Sequence, residues 1–371
     1  MAMPYFTNNG VPKSQIEAIQ TVPPFQVTDP REFRLISVAE TIGSGIFTGC
    51  LNIVLYYNKA MEKDSGWLVA GWIKESLGRA LREQPMLSGR LGRGENGRGE
   101  LEIVSNDSGV RLVEAKISVT LREFLDLKEK EKAEAELVFW KYIDEQNPQF
   151  SPLLFVQVTN FQCGGYSIGI SCSLLLADLL IMDNFLLKWA NIQKDMLSKN
   201  DEVKLPLFYL PNLKTASLAA NRTFSPASIE RCGQTMIFRI TGENVDLKNE
   251  SSKKLALLCM EEAEQKLGNK IISSEFSFLM KESPTVMQVE NFKKIERVNS
   301  HLMSDQVMIT SSSLKDYLEI NEIAFTEGNK PAQVSYWAGA VNDGLAVAIP
   351  SSNEGVSELN FIITFPIEKG I

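Results

Sequence analysis

Hydrophobic and polar positions alternate with two periods along the chain, one typical of strands and one typical of helices. Residues 150–178 predict two strands that are joined at Gln162–Gly165, where a Gly pair supplies the positive φ angles that a tight hairpin needs. In the second strand a period of two places four residues on one face: Ile168, Ile170, Cys172 and Leu174.

Helical spacing marks three further segments. Residues 65–91 predict a helix that ends near Pro85, and a second helix begins near Asp178 and continues past Trp189. In residues 253–268 an apolar stripe predicts a third helix, with Gly268 placed to cap its end. The charged run at 121–137 predicts a helix with a solvated face.

The remaining apolar runs predict strands, because they are rich in β-branched and aromatic residues. They are RLISVAETIG, IFTGCLNIVLYY, TMIFRI, EFSFLM, DQVMITSSS, QVSYWAGAV, GLAVAIP and ELNFIITF. A stretch rich in proline, serine and asparagine separates the two groups of elements. We therefore predict a mixed α/β protein with an N-terminal domain at 1–195, a crossover linker at 196–235 and a shortened C-terminal domain at 236–371.

Composition narrows the class of protein further. The chain has 371 residues, of which 44% are hydrophobic, and its net charge is −8, so no basic face is expected to bind nucleic acid. The longest apolar stretch, 166–182, is too short and too interrupted to span a membrane, and the N-terminus has no signal-peptide core. The five cysteines lie far apart and form no CxxC pair, which indicates neither a metal site nor a disulfide framework. We expect a cytoplasmic monomer.

Acid–base chemistry is restricted, because His301 is the one histidine in the sequence. Histidine is the commonest general acid–base group at neutral pH. A mechanism that needs such a group must use His301 or do without histidine. The polar stretch around His301, RVNSHLMSDQ, favours a surface or loop position over a catalytic one.

The order and spacing of several segments resemble the plant BAHD acyltransferases, which use acyl-CoA thioesters. These segments are IKESLGRALREQPMLSGRL, FSPLLFVQVTNFQCGGYSIGIS and FLLKWA. The resemblance covers most of the chain. It implies a two-domain fold similar to chloramphenicol acetyltransferase, with mixed sheets and a central channel. It also implies acyl-CoA as the co-substrate, with no metal and no resident cofactor.

The catalytic signature of that family, His-x-x-x-Asp-Gly, falls on Leu174, Asp178 and Leu179. The resemblance implies that the missing histidine is the base that deprotonates an alcohol or amine acceptor before attack on the thioester. Leucine has no titratable group, so Leu174 cannot accept this proton. The resemblance implies a structural role for the aspartate, which holds the motif through an arginine, and Asp178 can keep that role.

The second signature of the family, Asp-Phe-Gly-Trp-Gly, corresponds to AFTEGNKP at 324–331. Phe325 and Gly328 match it and are the candidate substrate-binding residues, whereas its aspartate, first glycine and tryptophan are replaced by Ala324, Thr326 and Glu327. The resemblance gives this motif mainly a supporting role in the domain structure. The second half is shorter than in typical members, so we expect the walls of the CoA channel to differ.

Within the family, FSPLLFVQVTNFQCGG and GNKPAQVSY are similar to the eceriferum branch of wax biosynthesis. This likeness implies a protein that assists a ketoacyl-CoA synthase, the condensing enzyme of fatty-acid elongation, without needing the histidine. Such a partner would hold the protein at the surface of the endoplasmic reticulum.

Residues near the signature offer two other routes to catalysis. Cys172 or Ser173 could be a nucleophile, but no adjacent base is visible, and the period-two pattern favours a buried structural thiol at Cys172. Asp178 could be a base whose pKa is raised by apolar surroundings, although an ion pair with an arginine is the favoured interpretation.

The hypothesis from the sequence is a BAHD-type protein with impaired catalysis that binds an acyl thioester or an elongase partner. One alternative is a working CoA-dependent acyltransferase that acylates an alcohol or amine of a plant metabolite through an unconventional base. Another is a lyase-like reaction in which a carboxylate of the substrate does its own acid–base work. Loss of a general base typically removes about 10² to 10⁴ in rate.

Overall fold

The computed structural model describes residues 11–38, 45–59, 66–94, 100–181, 184–198, 206, 233–241, 249–268, 275–293, 308–312, 320–339, 344–350 and 358–366. Within these residues the strands are β1 (Ser14–Val22), β2 (Phe33–Val38), β3 (Cys50–Tyr57), β4 (Arg90–Arg93), β5 (Leu101–Val104), β6 (Val110–Ile117), β7 (Leu154–Phe161), β8 (Tyr166–Ser173), β9 (Gly233–Thr241), β10 (Glu275–Ser283), β11 (Val286–Lys293), β12 (Met308–Ser312), β13 (Gln333–Gly339), β14 (Gly344–Pro350) and β15 (Glu358–Pro366). The α-helices are α1 (Gly45–Thr48), α2 (Gly66–Ala80), α3 (Leu121–Leu125), α4 (Lys130–Ala133), α5 (Ala177–Ile181), α6 (Phe185–Ser198) and α7 (Asn249–Leu267).

Two mixed sheets organise the molecule. The first has the strand order β1-β6-β7-β8-β3-β13, and the second has the order β12-β9-β15-β14-β10-β11-β2-β5-β4. Three neighbouring pairs are parallel, namely β6 with β7, β10 with β14 and β11 with β2. The predicted mixed α/β architecture is confirmed. Each sheet combines strands from before and after residues 196–235, since β13 pairs with β3 and β2 pairs with β11.

The boundaries of the two predicted domains stay a prediction. Within the predicted linker the structure describes the end of α6, Pro206 and the start of β9, and the rest of 196–235 lies outside the described residues.

Three apolar clusters fill the space around the sheets. The largest lies between the two sheets and includes the inner sides of α2 and α6, with Ile73 and Trp189 among its buried side chains. A second cluster packs α7 against the other face of the second sheet. The third covers the other face of the first sheet, where Trp140 meets the ring of Phe155. Both faces of the first sheet are therefore covered, and for this reason β7 and β8 are buried almost throughout.

The predicted hairpin and the helices predicted in residues 65–91 and 253–268 are confirmed. β7 and β8 pair antiparallel, and Gly164 in their connection has a φ of 85°. α2 ends before a 3-10 turn that begins at Pro85. The single helix predicted from Asp178 past Trp189 is wrong, because the segment is divided into α5 and α6, and Asn184 before α6 has a φ of 48°. α7 ends at Leu267, and Gly268 follows it with a φ of 67°, the conformation of a helix C-cap.

The prediction of one charged helix at 121–137 is wrong. The segment is divided into α3, α4 and a 3-10 turn at Glu134–Leu137, and a capping box between Thr120 and Glu123 starts α3. Glu134 is buried and accepts hydrogen bonds from Tyr56 Oη and Ser335 Oγ. The chain bends here because it follows the first sheet and buries Glu134 and Leu137, which a straight solvated helix would not do.

Candidate functional site

The predicted catalytic position lies where β8 ends. A 3-10 turn at Leu174–Leu176 follows the strand, and Ser173 Oγ caps it by accepting a hydrogen bond from the Leu175 backbone nitrogen at 3.4 Å. The Leu174 side chain is 5% exposed and belongs to the apolar cluster between the sheets. The position that corresponds to the histidine thus holds an apolar side chain, and apolar side chains surround it.

Asp178 lies in the first turn of α5 and forms a bidentate ion pair with Arg34 of β2. Arg34 Nη1 donates to Asp178 Oδ1 at 2.7 Å, and Nη2 donates to Oδ2 at 2.9 Å. Nη1 also donates to the Leu175 carbonyl oxygen at 2.9 Å, which ties the arginine to the turn before α5. Asp178 and Arg34 are 1% and 3% exposed, so the pair is shielded from water.

A second cation approaches the same carboxylate. Lys281 Nζ, on β10, lies 3.0 Å from Asp178 Oδ2, and its side chain is 22% exposed. Both cations come from the second sheet, whereas Asp178 follows the last residue of β8 in the first. Three nitrogen atoms of two cations thus engage the two carboxylate oxygens.

The nucleophiles considered from the sequence are also buried. Burial raises the pKa of the Cys172 thiol well above its ordinary value, and the negative charge of Asp178 raises it further. The thiol therefore stays protonated at neutral pH and is a poor nucleophile. The predicted burial of Cys172 is confirmed, Ser173 is buried too, and His301 lies outside the described residues.

Phe325 of the second motif is fully buried. Its ring meets Trp189 edge-on at 4.8 Å and Tyr57 at 6.2 Å, and Tyr57 Oη donates to the Ile323 carbonyl oxygen at 2.7 Å. These contacts hold the segment around Phe325 against α6 and the first sheet. A role of Phe325 in substrate binding stays a prediction.

Gly328 follows in a tight turn and has a φ of 74°, a conformation that favours glycine. The turn is closed by the Asn329 nitrogen, which donates to the Thr326 carbonyl oxygen at 3.0 Å. Gly328 lines a pocket of about 670 Å³ between α2, the second half of α6 and residues 322–330. The residues that line this pocket do not include Leu174 or Asp178, so the two motifs do not share it.

The sequence did not identify Arg34 and Lys281 as partners of Asp178. For Arg34, however, the pattern of β2 indicates a buried position. In β2 it shares the buried face with Ile36, and an arginine in phase with core residues needs an anionic partner. The partner lies 144 residues away in the sequence, so its identity depends on the fold.

The described residues contain no group of three or more histidine, cysteine, aspartate or glutamate side chains that could hold a metal ion. None of the described helices is both long enough and apolar enough to cross a bilayer.

Comparison with known families gives a match over most of the chain. A family model described as "Transferase family" matches residues 21–302. This range contains the Leu174 and Asp178 positions and ends before the second motif.

Individual relatives match over shorter stretches. A hydroxycinnamoyltransferase of Narcissus pseudonarcissus is 32% identical over 142 residues, which cover 38% of this chain and 32% of the relative. The protein ECERIFERUM 26-like of Arabidopsis thaliana is 31% identical over 140 residues, with coverage of 38% and 32%. The matched part thus spans about a third of the length of each relative.

Among solved structures, the crystal structure of vinorine synthase resembles this fold. The superposition covers 95% of each chain with a TM-score of 0.48, and the two sequences are 16% identical.

Proposed function

The chain belongs to the transferase family that contains the BAHD acyltransferases, and on this premise we propose that it has lost the family's general base. In this proposal the protein binds an acyl thioester without efficient transfer to a hydroxyl acceptor. The Asp178 remnant of the signature is then a structural residue. It holds the turn after β8 against the second sheet through Arg34 and Lys281.

The observation that carries the proposal is the apolar, buried Leu174 at the position of the base. Neither Asp178 nor Cys172 replaces it, since Asp178 is engaged by two cations and the Cys172 thiol stays protonated. General-base catalysis needs a group that can accept the acceptor's proton within hydrogen-bond reach.

Binding and proximity can still give slow transfer. Holding a thioester and an acceptor together supplies part of the rate enhancement without any acid–base group. Amine acceptors with a lowered pKa attack as free bases, so the missing base should penalise them less than alcohols.

The proposal extends to a protein partner, a ketoacyl-CoA synthase at the surface of the endoplasmic reticulum. Support comes from the match to ECERIFERUM 26-like and from the absence of the histidine, which an assisting role would not need. In this role the protein itself remains cytoplasmic and reaches the membrane surface through its partner.

Separate measurements of binding and turnover test the first part. Calorimetry should show that the purified protein binds at least one member of a panel of acyl-CoAs of different chain length and aromatic character. Chromatographic measurement of free CoA with alcohol acceptors should show release at the uncatalysed rate, with an active hydroxycinnamoyltransferase as the assay control. Rapid release that disappears in His301→Ala would assign the base to His301 and overturn the proposal.

Affinity purification from a plant microsomal extract tests the partner. We expect a ketoacyl-CoA synthase to be retained by the wild-type protein and by Leu174→His, because the association does not depend on catalysis. If no condensing enzyme is retained, the partner is wrong, whereas the proposed loss of the base is unaffected.

A further inference from the structure

The pocket that Gly328 lines is separate from the motif at the end of β8. Its walls are α2, the second half of α6 and residues 322–330, and no residue of 171–181 lines it. Its volume of about 670 Å³ lies within the range of small-molecule sites, which is roughly 300–1,000 Å³. We propose that this pocket binds a neutral, planar small molecule that carries a hydrogen-bond acceptor. The inference does not depend on the proposed function.

An aromatic and apolar wall supports a planar ligand. Trp72 on α2 lines the pocket and is partly exposed, so its indole is available for contact. Leu68 and Val69 of the same helix lie beside it, and Leu197 contributes from α6. A flat ring gains both apolar burial and stacking energy against an indole.

A nearly buried amide supports the hydrogen-bond acceptor. Gln193 lines the pocket and is 1% exposed. Its Oε1 accepts a hydrogen bond from Ser76 Oγ at 2.7 Å, which fixes the orientation of the amide and makes Nε2 the atom that can donate to a ligand. A carbonyl or ether oxygen of a ligand could accept a hydrogen bond from this amide donor at the pocket wall.

The charges around the pocket favour a neutral ligand. Its lining includes two lysines and three carboxylates, and Lys330 Nζ pairs with Glu322 Oε2 at 2.5 Å. Charges of both signs around one opening give little net attraction for an anion such as a phosphate. With three carboxylates against two lysines, the net attraction for a cation is also small.

The pocket coincides with the positions at which the second signature is lost. Ala324, Thr326 and Glu327, which replace the aspartate, first glycine and tryptophan of the signature, all line it. Alanine is smaller than aspartate, and glutamate is smaller than tryptophan. Two of the three replacements therefore leave more room in this wall of the pocket. A chain that keeps the signature would have larger side chains at these two positions.

Coumarin is a suitable probe, since it is planar and neutral and has a carbonyl acceptor. Binding to the full chain is measured by calorimetry, with naphthalene as a planar probe without an acceptor and coumarin-3-carboxylate as a charged one. We expect saturable, equimolar binding of coumarin and at least tenfold weaker binding of the other two probes. Absence of saturable binding of coumarin, or equal binding of all three, would overturn the proposal.

Two variants locate the binding. Gln193→Leu removes the amide and should weaken coumarin binding about tenfold, the usual effect of one neutral hydrogen bond. Asn191→Leu, an exposed change on the same helix outside the pocket lining, should have no effect. Thermal unfolding of each variant shows whether it is folded.

A second variant keeps the test independent of the stability of Gln193→Leu. Glu327→Trp changes an exposed residue of the pocket lining and restores an aromatic ring there, so it should block the pocket and weaken binding at least fivefold. Glu282→Trp, at an exposed position elsewhere, is the control. If coumarin binds equally to both variants and to the wild type, its site is not this pocket.

Discussion

At the scale of single residues, Asp178 is defined by its two cations. Its carboxylate forms ion pairs with Arg34 and Lys281. The side chains of Asp178 and Arg34 are buried, and that of Lys281 is partly exposed. The buried Nε of Arg34 has no partner among the described residues, so the network is not fully satisfied. A buried ion pair of this kind adds little net stability to the protein. Removing one partner is nevertheless strongly destabilising, because it leaves a buried charge unpaired.

We predict that Asp178→Asn destabilises the protein by about 3–5 kcal/mol, the usual effect of breaking a buried pair. The amide keeps the shape of the side chain but leaves Arg34 as an unpaired buried cation. Urea unfolding measures the free energy of unfolding. Asp126→Asn is the matched control, because its pair with Arg122 is exposed and should contribute less than about 1 kcal/mol. Similar losses in both variants would contradict the structural importance of Asp178.

At the scale of elements, the central feature is the close packing of β8 against the segment that covers it. A Cβ added at Gly169 would lie 1.9 Å from the Leu137 carbonyl oxygen. The glycine therefore allows the backbone at Glu134–Leu137 to lie directly on the strand. This contact also explains why the segment departs from the helix that its charged sequence predicts.

Gly169→Ala should destabilise the protein by about 3 kcal/mol, the upper range for overpacking, because backbone must move to admit the methyl group. Gly92→Ala is the control, since a Cβ there has no atom within 4 Å, and it should be nearly neutral. Thermal unfolding of the two variants gives the comparison. Equal melting temperatures would show that the segment does not pack on β8 as described.

Elements were predictable from sequence where one periodicity dominates. The β7–β8 hairpin, α2 and α7 followed from regular apolar spacing, and the Gly turn fixed the hairpin. The same spacing predicted the residues of α6 but not its separation from α5. The segment 121–137 was not predictable, because burial of Glu134 and Leu137 depends on the shape of the sheet below. The pocket was not predictable either, since its lining comes from three segments that are distant in sequence.

At the scale of the whole molecule, interactions cross between the two parts of the chain. β13 completes the first sheet, and β2 enters the second beside β11. Lys281 of β10, in the second sheet, forms an ion pair with Asp178, which follows β8 of the first sheet in the sequence. The periodic pattern gives the strands but not these partners, because pairing over long sequence separations depends on the complete arrangement.

Buried titratable groups predict how stability depends on pH. Burial raises the pKa of Cys172, Cys259 and Tyr57 in the folded state. A raised pKa means that the folded state holds its proton when the unfolded state has lost it. The stability is therefore fully present below the unfolded pKa, about 8.5 for a thiol, and is lost as pH rises above it.

We expect the free energy of unfolding to fall between about pH 8 and pH 9.5, by up to about 1.4 kcal/mol per pH unit for each thiol. Burial lowers the pKa of Lys74 below its ordinary value of 10.5, so this group makes the free energy of unfolding rise as pH approaches 10.5. The pH range of the measurement therefore ends at about 9.5. Urea unfolding of the wild type and of Cys172→Ala checks the cause. The variant should show a shallower fall, and a wild-type stability that is constant or rising would contradict the prediction.

Restoring a histidine at position 174 tests whether Leu174 occupies the place of the lost base. Release of CoA from an acyl-CoA that the protein binds is measured with an alcohol acceptor for the wild type and Leu174→His. The control is Leu176→His, which places the same side chain in the same buried turn away from the motif position. We predict that the rate of CoA release increases in Leu174→His and not in Leu176→His. The increase should approach the roughly 10²-fold that a general base contributes. Wild-type turnover equal to that of Leu174→His would show that the protein has not lost a general base at this position.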